Sequence, residues 1–244
     1  MALLSEESFQ DRLQRFTQED MLGTGLRVSL ALLGPIGAIT GEFVTQFVPR
    51  QRMDRLHDFV EKLDERLRAV EEEAETFKAR LQTPAYAALA ETTMVAAVQT
   101  PSDERRRDFA ALLKNGLTRP EAEIEEQHVL LRLLQQLSDP EVLVLAYYRV
   151  SLHASMGDTA PGRFREQHAA VLDVSPSTFG SSPEERRRWM MYEYYRDRLQ
   201  NLGLLKDTEG IARSAVRRFE ITSVGIALIG AIDRAPEGVE PKDT

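Results

Sequence analysis

The chain has 244 residues, no cysteine, 42% hydrophobic and 29% charged residues, and a formal net charge of −8. The missing cysteine excludes disulfides, thiolate chemistry and Cys-based zinc or iron–sulfur sites. The acidity excludes nucleic-acid binding by bulk attraction, so any DNA contact needs a local basic patch.

This length accommodates one large domain or two small ones, with a real core in either case. Aromatic residues are 7%, and mixed Glu/Arg runs abound. The composition predicts an all-α protein. Residues 1–137 carry 17 basic and 23 acidic side chains, and residues 138–244 carry 14 and 16. The C-terminal part therefore repels phosphate less. MALLSEESFQDRLQRF has acids early and no basic segment followed by an apolar run, unlike a signal peptide. The expected location is the cytoplasm, with peripheral contact at the inner membrane.

Residues 1–52 form an apolar, glycine-rich region. Within it, Val28 to Gly41 are fourteen uncharged residues. As a helix they cover roughly 21 Å, against about 30 Å for a bilayer core. Continuing the span places Glu42 in lipid, at high cost. Gly23 and Gly25 do not complete a phosphate-binding fingerprint, because position 28 is Val. Gly34 with Ala38 and Gly37 with Gly41 are i, i+4 pairs that open a helix face to close approach. Pro35 kinks or breaks that helix. Ala31, Leu32, Leu33, Gly34, Gly37, Ala38, Ile39 and Gly41 are thus candidates for burial in the protein core, an assembly contact or a membrane-surface contact.

Over 53–82, apolar residues fall at Met53, Leu56, Val60, Leu63, Leu67, Val70, Ala74, Phe77 and Leu81, in alternating steps of 3 and 4. That is a coiled-coil stripe. Its partner is either a second copy of the chain or another helix of the same chain. The expectation is homo-oligomer formation through these nine positions.

Residues 83–137 read as a helical bundle. A mildly apolar helix is expected over about 85–99. A second has Ser102 as N-cap and Asn115-Gly116 as its stop. Phe109, Leu112 and Leu113 supply its buried face, and Arg105–Arg107 read as surface ion pairs. A third starts with Pro120 at its first position and carries Ile124, His128, Leu131 and Leu134 on one face. The next opens at Ser138 or Asp139 with Pro140 in its first turn.

Residues 138–234 change in character. A short helix fits 163–172 between two turn-rich segments. SSPEERRRWMMYEYYRDRLQNLGLL follows, with a Ser182/Glu185 capping box, Pro183 at the first helical position, Gly203 as terminator, and Met191, Tyr195, Leu199 and Leu202 as one apolar face. Leu204-Leu205 and Val216 with Phe219–Ile221 read as two short strands around a polar loop. ITSVGIALIGAI is an apolar closing helix. Residues 235–244 read as a disordered polar tail.

This order, a helix ending LQNLGLL, a hairpin, then RFEITSVGIALI, resembles a winged-helix module. Ile221-Thr222 and Gly225 open the closing helix as in that fold. The resemblance implies phosphate contacts by Arg186, Arg187 and Arg188 and by the wing's Arg217 and Arg218. Protein contact is the alternative, since acids share the same helix.

The wider pattern resembles the abortive-infection alpha family of bacterial phage-defence proteins, through short aliphatic words across 85–232. Ala111, Leu112, Leu113 and Asn115 match one word. Gln136, Leu137 and Ser138 match a helix start. Leu202–Leu205 with Thr222 and Gly225 match the closing segment. The resemblance implies antiviral defence by a membrane-contacting effector and carries over no catalytic residue. His57, His128, His153 and His168 are scattered, so no enzyme, metal or cofactor is expected. The sequence reading is a non-enzymatic, self-assembling effector, with a DNA-binding regulator as the alternative.

Overall fold

The structure, a computed structural model, describes residues 50–68, 79–152, 154, 159–176, 178, 180–208 and 219–234. The described residues are mostly helical, with one small antiparallel sheet. The chain divides into two compact units, residues 1–128 and 129–244. The proposed membrane or assembly segment at 31–41 lies outside the described residues, as do Val70, Ala74, Phe77, Arg217, Arg218, Val216 and the tail.

Among the described residues the first unit is built on three helices, α1 (Arg50–Arg68), α2 (Pro84–Gln99) and α3 (Asp103–Thr118), followed by a short turn and the start of a fourth helix. Each of the three packs against the other two. Val60, Leu63 and Leu67 of the stripe are buried here, together with Phe59 and, just before α2, Leu81. Leu56 is half-buried, and the side chain of Met53 lies outside the described residues. This corrects the assignment of Val60, Leu63, Leu67 and Leu81 as contacts to a second copy. A heptad stripe specifies an apolar face and leaves its partner open. Here α2 and α3 cover that face, with Leu89, Ala90, Met94 and Ala97 on one and Phe109, Leu112 and Leu113 on the other all buried.

Ser102 caps α3 as expected, its hydroxyl accepting from the Arg105 amide at 3.2 Å. The helix does not stop at Asn115-Gly116 but continues to Thr118. A Cβ on Gly116 would lie 2.6 Å from Leu89 Cδ2, so the bare Cα admits α2. Glycine at this position serves packing rather than termination. Arg105 and Arg106 are likewise buried, which corrects the reading of all three arginines as surface pairs. Arg106 bonds Asp58 of α1, reaches Asp103 at 3.4 Å, and donates to the Thr100 and Pro101 carbonyls at 3.3 and 3.1 Å. Lys62 of α1 pairs with Asp58 and, at 2.9 Å, with Asp103. Two acids and two cations thus cross-link α1 to the start of α3. Arg107 does stay at the surface, pairing with Asp103 and Glu104 at 2.9 and 3.2 Å.

Pro120 precedes a 3-10 turn, Glu121–Glu123, and α4 (Ile124–Gln136) begins after it. With ψ 152° Pro120 is extended, so it introduces the turn instead of occupying the first helical position. The boundary between units falls inside α4, earlier than the step at 137. Buried Gln127 packs near Gly116 of the first unit, whereas the carbonyl of Gln136 accepts from Arg198 of the second.

The second unit is built around α5 (Asp139–Ser151), whose Val142, Val144, Leu145 and Ala146 are fully buried. Against it pack α6 (Ala160–Gln167), α7 (Ala169–Leu172), α8 (Pro183–Asn201), strand β2 (Phe219–Ile221) and α9 (Ser223–Ala231). Strand β1 (Leu205–Asp207) pairs antiparallel with β2 in the register Leu205 to Ile221. Phe219 and Ile221 face inward and Glu220 outward, the alternation of a strand with one covered face. Gly203, at φ 72°, follows the end of α8. Thr222 caps α9, accepting from the Gly225 amide at 3.1 Å and donating to the Gly203 carbonyl at 2.7 Å.

Two outcomes follow for stability. Burial alone would raise the Asp58 carboxyl, but hydrogen bonds from Lys62 and Arg106 outweigh it and hold it below its ordinary 3.8. A depressed carboxylate contributes stability above its unfolded value and loses it as pH falls through the folded one. Thermal melts should therefore weaken on acidification below pH 3.8. Asp58→Asn should cost roughly 1.5–3 kcal/mol at pH 7, with a flatter acid limb. An unchanged acid limb would remove the cross-link from the account. In the second unit, a Cβ on Gly225 would lie 2.5 Å from the Leu204 carbonyl oxygen and 2.7 Å from Ile221 Cγ1. Gly225→Ala should destabilise by about 1–3 kcal/mol in urea titration. An equal or higher midpoint would contradict this packing.

Candidate functional site

Among the described residues helix α8 is the longest element of the second unit, and it carries three consecutive exposed arginines, Arg186, Arg187 and Arg188. Its start is set by the expected capping box. The Ser182 hydroxyl accepts from the Glu185 amide at 3.2 Å, and Glu185 accepts from the Ser182 amide at 2.6 Å. These bonds, the backbone one foremost, hold the Glu185 carboxyl below its ordinary range. Pro183 occupies the first turn, where no amide is needed.

One face of α8 is fastened down. It is centred on Tyr192, Arg196 and Leu199, all buried, while Met191, Tyr195 and Leu202 of the expected apolar face are only half-buried. The displacement has a chemical cause. Arg196 is 6% exposed, with its guanidinium 5.6, 5.1 and 4.8 Å from the ring centroids of Trp189, Tyr192 and Phe219. Stacking of a guanidinium on aromatic rings offsets part of its desolvation. Glu193 adds an ion pair. The Phe219 contact joins α8 to strand β2. Burial drives the Tyr192 phenol above its ordinary acidity value, with neighbouring Tyr148 adding to the effect.

A second fastening lies near the other end. The Glu141 side chain, 3% exposed, accepts from the Ser138 amide at 2.6 Å and the Ser138 hydroxyl at 2.8 Å. Its other oxygen meets Arg198 Nε at 2.8 Å. One carboxylate therefore caps α5 and holds α8.

The opposite face is presented to solvent. Arg186, Arg187 and Arg188 are all exposed in the first turns. Arg186 donates to the Ser181 carbonyl, and Arg188 pairs with Glu184 at 2.7 Å. Arg187 has no ion-pair partner among the described residues. Met190 and Tyr194 follow Arg187 at i+3 and i+7, so the three share a face. Met190 is 60% exposed and Tyr194 53%, values that set them apart from core residues. Sequence reading missed this pair because each adjoins a residue of the expected apolar face. The signal available was the MMYEYY run, which places apolar residues on more faces than one core contact can cover.

Beside α7 and α8 runs a groove of about 280 Å³, lined by Ala170, Val171, Val174, Glu184, Arg187, Arg188, Met191, Tyr192 and Tyr195. Among the described residues no group of three His, Asp or Glu is placed to hold a metal ion, and no helix is long and apolar enough to cross a membrane. No protein-family model, curated protein or solved structure matches the chain.

The Glu141 node generates a test. Glu141→Ala removes a cap and leaves Arg198 without its carboxylate, which should cost roughly 2–3 kcal/mol. Guanidinium titration monitored by Trp189 fluorescence would measure it. A loss under about 0.5 kcal/mol, the scale of an ordinary surface change, would show that α8 is held by other contacts.

Proposed function

We propose that the chain works by binding rather than catalysis, that its second unit is a winged-helix-like module, and that α8 docks on duplex DNA. One observation carries this reading: three arginines stand exposed at the start of a long helix that leads directly into a two-stranded hairpin. A helix so placed offers its N-terminal residues to the major groove, with cations beside the phosphates. The helix dipole adds a favourable field for anions at that end. Charge composition supports a local patch. Residues 129–244 carry 15 Lys+Arg and 16 Asp+Glu, so this unit is close to neutral where the whole chain is acidic.

Exposed Met190 and Tyr194 favour a second reading, a protein partner, because methionine and tyrosine are enriched at protein interfaces. The effector reading, with phage defence, homo-oligomers and membrane contact, rests on the family resemblance and on residues 1–49 and 69–78, which lie outside the described residues. It loses the buried stripe positions as an assembly surface.

Fluorescence anisotropy with a mixed-sequence duplex tests the proposal. Affinity should fall with salt, by about 0.9 log unit per tenfold salt for each phosphate neutralised. Replacing Arg186, Arg187 and Arg188 with Glu should weaken binding at least about 100-fold at low salt, the effect of roughly 1 kcal/mol or more per reversed charge. Binding that ignores salt, or survives the triple replacement, would turn the proposal toward the protein partner.

A further inference from the structure

We propose that the groove beside α7 and α8 binds a small organic carboxylate with an apolar tail, and that this ligand competes with phosphate for Arg187. The regulatory half of this inference rests on the DNA reading above; the binding half does not. Three features of the groove select that chemistry. Its lining includes the apolar side chains of Val171, Val174 and Met191, with Tyr192 and Tyr195 of α8 beside them. Its volume, about 280 Å³, lies at the small end of ligand pockets, which suits a tail of a few carbons better than a peptide or a nucleotide.

Charge in the lining decides the head group. Two guanidiniums line the groove, but Arg188 is already neutralised by Glu184 at 2.7 Å. Arg187 has no ion pair among the described residues, and it lines the same groove as Val171, Val174 and Met191. A cation ligand would meet repulsion there, and a neutral one would leave the charge unused. A carboxylate can take two parallel hydrogen bonds from one guanidinium. Arg187 also stands on the face proposed to meet DNA, so one side chain serves both ligands. Each must then weaken the other by the same factor.

Octanoate is a suitable probe. Trp189, the single tryptophan, lies on α8 one turn before Tyr192, with ring centroids 6.3 Å apart, so its fluorescence can report binding. The expected result is saturable one-to-one binding by calorimetry and by Trp189 emission, in the absence of DNA. Octanol should bind at least about tenfold more weakly, as should octanoate to Arg187→Gln, the loss of one charge-assisted pair. Val174→Trp, which fills the slot without touching the cation, should abolish the octanoate response. Non-saturating uptake, or binding indifferent to both replacements, would overturn the site. With the duplex present, octanoate should reduce DNA affinity in the unaltered protein and not in Val174→Trp. Octanoate that binds the groove of a protein with no affinity for DNA would uphold the site and remove the DNA reading. Octanoate and DNA that bind without affecting one another would overturn the competition at Arg187.

Discussion

Arg196 is buried among the rings of Trp189, Tyr192 and Phe219, and the orientation of α8 depends on that packing. A guanidinium taken out of water needs partners, and aromatic faces with one carboxylate supply them. The arrangement turns the Tyr192, Arg196 and Leu199 face inward and joins it to strand β2. The Arg187, Met190 and Tyr194 face is then left to solvent. Glu141 reinforces the same orientation through Arg198. What α8 offers outward follows from how it is held inward.

The first unit solves a simpler problem by the same means. Val60, Leu63 and Leu67 of its apolar stripe are covered by α2 and α3, and its charged flank is tied by Asp58, Lys62, Asp103 and Arg106. The ion cluster joins α1 to the start of α3, where the first-turn amides favour negative charge. Desolvation works against each charge, and the opposite charges nearby offset it. The balance leaves the Lys62 ammonium above its ordinary value, since bonds to Asp58 and Asp103 outweigh its burial. That contribution is present below Lys62's ordinary value and is lost in strong base, the mirror of the Asp58 case.

Helix ends were the most legible features of the sequence, because capping chemistry is local. Ser102, Ser138 and Ser182 mark three helix starts, and Gly203 marks one end. The small sheet was legible too, because Phe219, Glu220 and Ile221 alternate apolar and polar. What escaped sequence reasoning depends on neighbours distant in the chain. Asn115-Gly116 carries the dipeptide of a stop, yet Gly116 is needed for the approach of Leu89. Arg105, Arg106 and Arg196 carry the charge of surface residues, yet all three are buried, and the distant partners Asp58 of Arg106 and Phe219 of Arg196 lie on other elements. The 3–4 stripe foretold a covered face without naming its cover. For the candidate site, Arg186–Arg188 could be picked out by charge and position. Exposure of Met190 and Tyr194, and the groove beside Arg187, depended on which face of α8 is turned inward, where Tyr192, Arg196 and Leu199 are buried.

The central claim is that α8 leaves Arg187, Met190 and Tyr194 exposed on one face, the face proposed to meet DNA, and keeps Tyr192 buried. Hydroxyl-radical footprinting of the full chain, with and without duplex DNA, tests it most directly. The account predicts strong labelling of Met190 and Tyr194 in the free protein, loss of that labelling on DNA, and little labelling of Tyr192 in either state. Equal labelling of Met190 and Tyr194 with and without DNA, under conditions where the duplex is bound, would contradict it.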